Sequence, residues 1–500
     1  MDSPMTRSRA RRSGSVSTTP LSASTSASTS PSPSLSSTSL SSLDGAAEAD
    51  GSLAGKPLVD TYGNEFSLPD FTIKEIRDAI PRHCFQRSAL RGLSYVARDL
   101  ALLASTFYAF NNHIMPALAS QSPLVRGAAW AVYGFLQGLF ATGIWVLAHE
   151  CGHQAFSESK IVNDTVGWLL HSSLLVPYFS WKISHGKHHK TTGNVEKDMV
   201  FVPKSRAEYA RRYAGGVAHD IAELTEETPL ATLLHSIAQQ LVGWILYLFT
   251  NVTGHNYHGR QKEGRGVGKH NGFLGGVNHF NPASPLYEAK DAKLVVLSDL
   301  GVALTAVALY RACQAWGAAN VAIWYGIPYL WVNHWLVAIT FLQHTDPSLP
   351  HYHPEAWNYC RGAAATIDRE FGFIGRQLMH GIVETHVVHH FIPLIPFYHA
   401  DEATVHVRRV MGRHYRADTA GGPLGFLKAL WTSARWCQWV EPSAGAQGEG
   451  RHVLFFRNRN GLGVKPLPQD QVSLRPEEMR NMLEVGLVSP ADLDRAGAQL

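Results

Sequence analysis

The sequence predicts an all-α integral membrane protein. It is expected to carry two transmembrane helix hairpins (about four spans), interfacial helices and a histidine-rich cap on one side. Three observations predict this. Only 17% of the 500 residues are charged, against roughly 25% in soluble domains, and the polar residues crowd toward the ends. The middle holds apolar runs longer than the ~20 residues that span a bilayer. The chain has 26 histidines, and they cluster beside those runs.

Each element follows in order. Residues 1–55 are mostly Ser, Thr, Pro and Ala, too poor in apolar surface to fold, and read as a disordered tail. The basic start, Arg7 to Arg12, also suits an organelle transit peptide, but no amphipathic helix accompanies it. No short apolar core follows Met1, so no cleavable secretory signal is expected. Residues 56–92 form a short lead-in, where Thr72–Ile80 has helical spacing and a Thr cap and stops before Pro81. Leu93–Leu118 and Gly127–Ala148, joined by Ala119–Arg126, make the first hairpin. Val166–Phe179 is apolar but short and contains a His and two Ser, which suits a re-entrant or interfacial helix. Leu233–Val252 carries Gln239 and Gln240 and is placed in the interface. Lys293–Trp316 and Ala318–Phe341 meet at Gly317 as the second hairpin. Beyond Gln343 the chain is polar, with helical segments near Phe371–His380 and Thr404–Gly412, and 441–500 reads as a soluble or loosely folded tail.

Composition removes some function classes. A net charge of +4, with no basic stripe interleaved with aromatics, gives no footprint for nucleic acid. The five cysteines have no C-x-x-C spacing, which argues against a disulfide framework or a cysteine zinc site.

The chemistry lies in three histidine boxes. The first, His149-Glu150-Cys151-Gly152-His153, ends the run Ala128–Ala148. Its two histidines are one helical turn apart on one face. Alone it also reads as the His-Glu-x-x-His zinc protease signature, with Glu150 as general base. The second box is His185-Gly-Lys-His188-His189 and the third is His386-Val-Val-His389-His390. The i, i+3, i+4 spacing puts each trio on one helix face. Eight directed imidazoles exceed the four ligands of one zinc and suit two metal ions, without choosing the metal. An intramembrane zinc protease explains box one and leaves the two H-x-x-H-H boxes unused. A haem or transport protein would place one or two histidines on spanning helices, not clusters at their ends. Single histidines at membrane edges, His113, His171, His235 and His334, read as hydrogen-bonded interfacial residues. For the boxes to share one centre, an even number of crossings must separate them. The N-terminal arginines and Lys182, Lys187 and Lys190 place that side in the cytosol.

In these boxes the chain resembles the membrane fatty-acid desaturases and related hydroxylases. The resemblance covers about 57–440, which gives a desaturase domain over 56–440. Phe71–Pro81, Phe341-Leu-Gln-His-Thr-Asp-Pro347 and Ala364–Gly372 look like the endoplasmic-reticulum delta-12 branch, the fungal members in particular. The resemblance implies two non-haem irons, O2 as co-substrate, and electrons from NAD(P)H through cytochrome b5 and its reductase. It implies a cis double bond inserted at carbon 12 of an oleoyl chain carried on phosphatidylcholine or coenzyme A. A multi-pass protein of the endoplasmic reticulum membrane, with its boxes facing the cytosol, is expected. A delta-15 (omega-3) or bifunctional desaturase, or an oleate 12-hydroxylase, could keep every box. By the same resemblance His344 is a ninth ligand, with His351 the weaker candidate. No His-Pro-Gly-Gly haem motif occurs, so the electron donor is expected to be a separate protein. Gln154 stands where plant members usually have His, leaving the ligands intact and altering a neighbouring contact.

Neutral imidazoles suit a membrane-edge site because they bring no charge to desolvate. Their other ring nitrogens need acceptors, for which Glu150, Asp198, Asp346 and Glu384 are the candidates. A narrow apolar tunnel for the acyl chain is expected between the hairpins, lined by residues such as Phe140, Trp145 and Trp335.

Overall fold

The computed structural model describes residues 57–212, 229–254 and 276–468; the expected N-terminal tail and positions 469–500 lie outside them. The first helix, α1 (Ile73–Ala79), starts where the sequence places it, because Thr72 and Glu75 form a reciprocal capping box. Helix α2 (Ala89–Ala109), capped by Ser88, continues through a π turn at Phe110–Ile114 to Ala117. Helix α3 (Pro123–Gly152) returns antiparallel to it. At 1.5 Å per residue α3 is about 45 Å long, more than the ~30 Å hydrocarbon layer. Such a layer would leave about 15 Å of the helix outside it, and box one lies at the helix's C-terminal end.

Val166–Phe179 is not one helix. Helix α4 (Lys160–Ser173) and helix α5 (Tyr178–Thr191) have 14 residues each, with a turn between them in which Leu175 takes φ 57°. Each is too short to cross a bilayer. Helix α6 (Arg206–Arg212) follows. Helix α7 (Pro229–Thr250) is longer than expected, and by length and composition it is one of three candidate spans, with α3 and the helix of 289–316. Its two glutamines do not remove it from that set. Helix α8 (Ala292–Trp316) turns at Gly317, whose φ of 85° suits glycine.

The return strand of that hairpin is interrupted, which the sequence reading of one run over Ala318–Phe341 did not include. A short helix, Ala318–Val321, and a π turn at Ala322–Gly326 precede α9 (Ile327–His344). Helix α9 runs three residues past Phe341, and those residues bring His344 to its end. Helices α3 and α9 touch through Gly134 and Gly138, a small-xxx-small pair. A Cβ there would stand 2.5 Å from Ile327 and 2.2 Å from Trp331. The main core lies between α3, α7 and α9, around Ile144, Trp145, Trp244, Leu248, Trp335 and Leu336. Outward faces of α7 and α8 keep Leu233, Leu241, Leu300 and Leu304 exposed, as lipid-facing helices do.

The rest of the chain forms the cap and is not wholly helical, which corrects the all-α reading. Helices α10 (Tyr359–Ala363), α11 (His386–Phe391), α12 (Phe397–Met411) and α13 (Gly422–Trp436) alternate with short strands. Strands β1 (Leu58–Val59) and β2 (Glu65–Phe66) pair, as do β4 (Asp368–Arg369) and β5 (Ala417–Asp418). Strand β7 (Val453–Arg457) sits between β3 (Pro350–Tyr352) and β6 (Trp439–Pro442). Strand β7, Val-Leu-Phe-Phe-Arg, is buried throughout and rich in strand-forming side chains. The segment past 440, read from sequence as a soluble or loosely folded tail, is ordered through residue 468. Of the two helical segments expected in the cap, Phe371–His380 is only a π turn at Ile374–Leu378. Thr404–Gly412 belongs to α12, which starts earlier, at Phe397.

Candidate metal centre

Four helices bring the histidines together. Helix α3 supplies His149, with His153 at its C-cap; α5 supplies box two; α9 supplies His344; α11 supplies box three. They form two groups. In the first, one ring nitrogen from each of His149, His153, His185, His189 and His389 lies within 4.8 Å of all the others. In the second, the same holds for His188, His344 and His390, and His386 Nε2 joins them 3.1 Å from His344 Nε2. Both H-x-x-H-H boxes are split in the same way. The i, i+4 pair of box two, His185 and His189, faces the first group, and His188 faces the second. The i, i+4 pair of box three, His386 and His390, faces the second group, and His389 faces the first.

The nitrogens converge as metal ligands do. His185 Nε2 stands 3.1 Å from both His149 Nε2 and His189 Nε2. His344 Nε2 stands 3.1 Å from His386 Nε2 and 3.3 Å from His188 Nε2. One ring nitrogen offers one hydrogen or one lone pair, so it cannot satisfy two such partners in line. His153 Nε2, His389 Nε2 and His390 Nε2 are buried with no hydrogen-bond partner at all. Burial, reinforced by the neighbouring imidazoles, pushes His185, His189, His386, His389 and His390 well below the ordinary histidine range. They are neutral at pH 7 with lone pairs free. This donor set fits two cations that accept imidazole, and is compatible with a di-iron site.

The surroundings differ from the sequence reading. Of the four expected acceptors, only Asp198 reaches a box histidine. His188 Nδ1 donates to it at 2.8 Å, and its Oδ1 is fixed by the Val200 N–H. Glu150 instead accepts the Phe397 N–H at 3.0 Å and stays 3.6 Å from His149 Nδ1. Asp346 accepts from Arg369, and Glu384 accepts the Phe371 N–H. These three carboxylates fasten the chain segments that carry the ligands. Burial raises Glu384 to about 7. Gln154 does not touch a box histidine: at φ 62° it ends α3, and its side chain donates to the Cys151 carbonyl. His351 lies outside both groups, against Phe456. Trp145 and Trp335 are buried in the main core, while Phe140 is half-buried outside it.

Several residues escaped the sequence reading. Thr192 Oγ1 bonds His390 Nδ1 at 3.2 Å and donates to the His188 carbonyl, linking the two boxes. Arg369, 1% exposed, donates to the Leu342 carbonyl and pairs with Asp346 and Asp418, locking the end of α9 beside His344. Asp368 accepts the Val387 N–H inside box three and the Tyr415 hydroxyl, and burial raises it to about 7. A buried His380–Asp99 pair at 2.7 Å ties the start of the box-three segment to α2. Asp368 and Arg369 lie within the segment Ala364–Gly372 that carries the family resemblance, and this was the one available signal.

A centre of nine histidines, seven of them buried, two of its four carriers being long apolar helices, defines a class of membrane-associated protein whose donor set suits metal ions. The fatty acid desaturase family model matches residues 128–421, and the chain belongs to that family; it is an oxidoreductase of lipid metabolism. A second model, a domain of unknown function, matches 38–106. The chain is 59% identical to an oleate hydroxylase of Claviceps purpurea over 86% of its length and 89% of the relative. It is 46% identical to a delta(12) fatty acid desaturase of Mortierella alpina over 79% of this chain and 93% of that one. It is 41% identical to an oleoyl-12-hydroxylase of Ricinus communis over 78% and 92%. Family membership removes the zinc protease reading of His149, Glu150 and His153.

Proposed function

We propose that the chain is a delta-12 desaturase that converts oleoyl to linoleoyl chains with O2. The observation that carries this reading is the division of both H-x-x-H-H boxes between two histidine groups, which calls for two metals held as one unit. Its supports for carbon 12 are the names of the Mortierella relatives. His149, His153, His185, His189 and His389 would hold one iron, and His188, His344, His386 and His390 the other. Two non-haem irons with O2 supply the hydrogen-atom abstraction that an unactivated methylene requires. The protein binds, orients and shields. Asp198 fixes the His188 ring and its tautomer. Trp181 stacks on His185 with ring centres 4.4 Å apart, and Trp145 stacks on His149 at 5.6 Å. These indoles keep water from the first group on the core side. Electrons come from NAD(P)H through cytochrome b5 and its reductase.

The membrane arrangement is two hairpins, α2–α3 and α8–α9, with the cap in the cytosol and the endoplasmic reticulum as host membrane. Helix α7 enters and leaves from the cap side. Before it, Tyr209 of α6 packs on Trp439 of the cap sheet. After it, Asn251 and Thr253 bond the carbonyls of Met199 and Val200 beside Asp198. Both ends on one side leave an even number of crossings between boxes two and three.

The identity to the Claviceps hydroxylase favours a second reading, oleate 12-hydroxylation by the same centre. Expression in a yeast that makes oleate but no linoleate, followed by fatty-acid profiling, separates them. A new cis-9,cis-12 diene is expected. A 12-hydroxy acid moves the assignment to the second reading, product only after linoleate feeding moves it to delta-15, and an unchanged profile contradicts all three.

A further inference from the structure

A second cluster of metal-binding side chains stands apart from the nine histidines, where the turn before α2 meets α12. His83 and Cys84 lie in the 3-10 turn Arg82–Phe85, and Glu402 lies on α12. One ligand atom from each is within 4.8 Å of the other two. His83 Nε2 is 2.8 Å from Glu402 Oε2 and 3.8 Å from Cys84 Sγ. His399 is three residues before Glu402, so it shares that helix face, and its ring centre is 5.8 Å from that of His83. The bland reading is a surface ion pair beside an ordinary buried cysteine. Such an exposed pair contributes only ~0–1 kcal/mol; the buried Cys84 thiol adds a hydrogen bond to the same Glu402 carboxylate and brings its sulfur to 3.8 Å from His83 Nε2.

Ligands on a tetrahedral zinc, at ~2.0–2.3 Å from the ion, stand roughly 3.3–3.8 Å apart; the sulfur-to-imidazole separation falls in that range, and the exposed His83–Glu402 pair, at 2.8 Å, would open by roughly half an ångström to admit the ion. Thiolate, imidazole and carboxylate together suit a borderline ion, with zinc first among the available ones. The side chains of His83 and Glu402 are 50% and 47% exposed, so an ion can enter from water while Cys84 anchors the site from beneath. We propose that His83, Cys84 and Glu402, with His399 able to complete the set, form a zinc site. It would clip the segment before α2 to the helix that follows box three. On binding, the Cys84 S–H bond is replaced by a zinc–sulfur bond and the proton leaves to solvent. No electrons are transferred.

The test uses the full-length, iron-loaded protein in detergent, with cobalt(II) as the spectroscopic probe and zinc(II) as competitor. The expected result is one equivalent of cobalt beyond the iron, with a thiolate-to-cobalt charge-transfer band that zinc abolishes. Cys84→Ala should remove the band with iron content unchanged. His83→Asn, a half-exposed change that spares the core, should weaken cobalt binding at least roughly tenfold. The proposal is overturned if the parent shows no thiolate band. It is equally overturned if the band survives Cys84→Ala, or if His83→Asn binds as tightly as the parent.

Discussion

The two histidine groups are built from the same boxes yet supported differently. In the second group, His188 is tethered to the Asp198 carboxylate and His390 to the Thr192 hydroxyl. In the first, His149 Nδ1 and His189 Nδ1 are buried without partners, as His386 Nδ1 is in the second, while Trp145 stacks on His149 and Trp181 on His185. One group is thus oriented by charge and hydrogen bonds, the other by aromatic packing. A carboxylate on the far nitrogen makes a ligand more basic; an indole face fixes the ring without doing so. The difference implies that two metals held by these groups would be unequal in electron richness.

The strongest way to break this comparison is His188→Ala, which deletes a ligand and the tether together. Product should fall to background while the protein remains in the membrane fraction. Retained linoleate would contradict the two-metal assignment. Asp198→Asn keeps the ligand and removes only the charge. A drop of roughly 10–100-fold in activity or metal affinity is expected, measured by fatty-acid yield and iron content. An effect confined to protein yield would make Asp198 a fold determinant only. Gly138→Ala addresses the spacing of the groups, because α3 carries His149 and α9 carries His344. Its Cβ would meet Trp331 at 2.2 Å, so a loss of about 1–3 kcal/mol is expected, read as a lower thermal midpoint. An unchanged midpoint would mean that the two helices can separate freely. Thr192→Val is the mildest change. Losing one hydroxyl contact to His390 should cost about 0.5–1.5 kcal/mol, a severalfold loss of iron affinity in the second group alone.

The convergence of the histidines was legible in the sequence and their support was not, for a physical reason. Metal ligands on helices need i, i+3 or i+4 spacing, so the boxes are local patterns. The Thr72 cap and the Gly317 turn are local too. Glu150, Asp346 and Glu384 were chosen for being near the boxes in sequence. Three-dimensional neighbours decided otherwise: Phe397, Arg369 and Phe371 claimed them. Thr192 and His390 are 198 positions apart, and no periodicity announces such a contact. The cap strands were missed because β3 and β7, about a hundred residues apart, become a sheet only after the chain has folded. The interruption of the second hairpin at Ala322–Gly326 leaves no mark in an apolar run.

The most direct measurement is the metal content of the purified, full-length protein, compared with that of His188→Ala. Two irons per chain are expected in the parent. The variant should retain iron in the first group and lose it from the second. A single metal in the parent, or stoichiometric zinc at the histidines with no iron, would contradict the paired centre on which the functional reading rests.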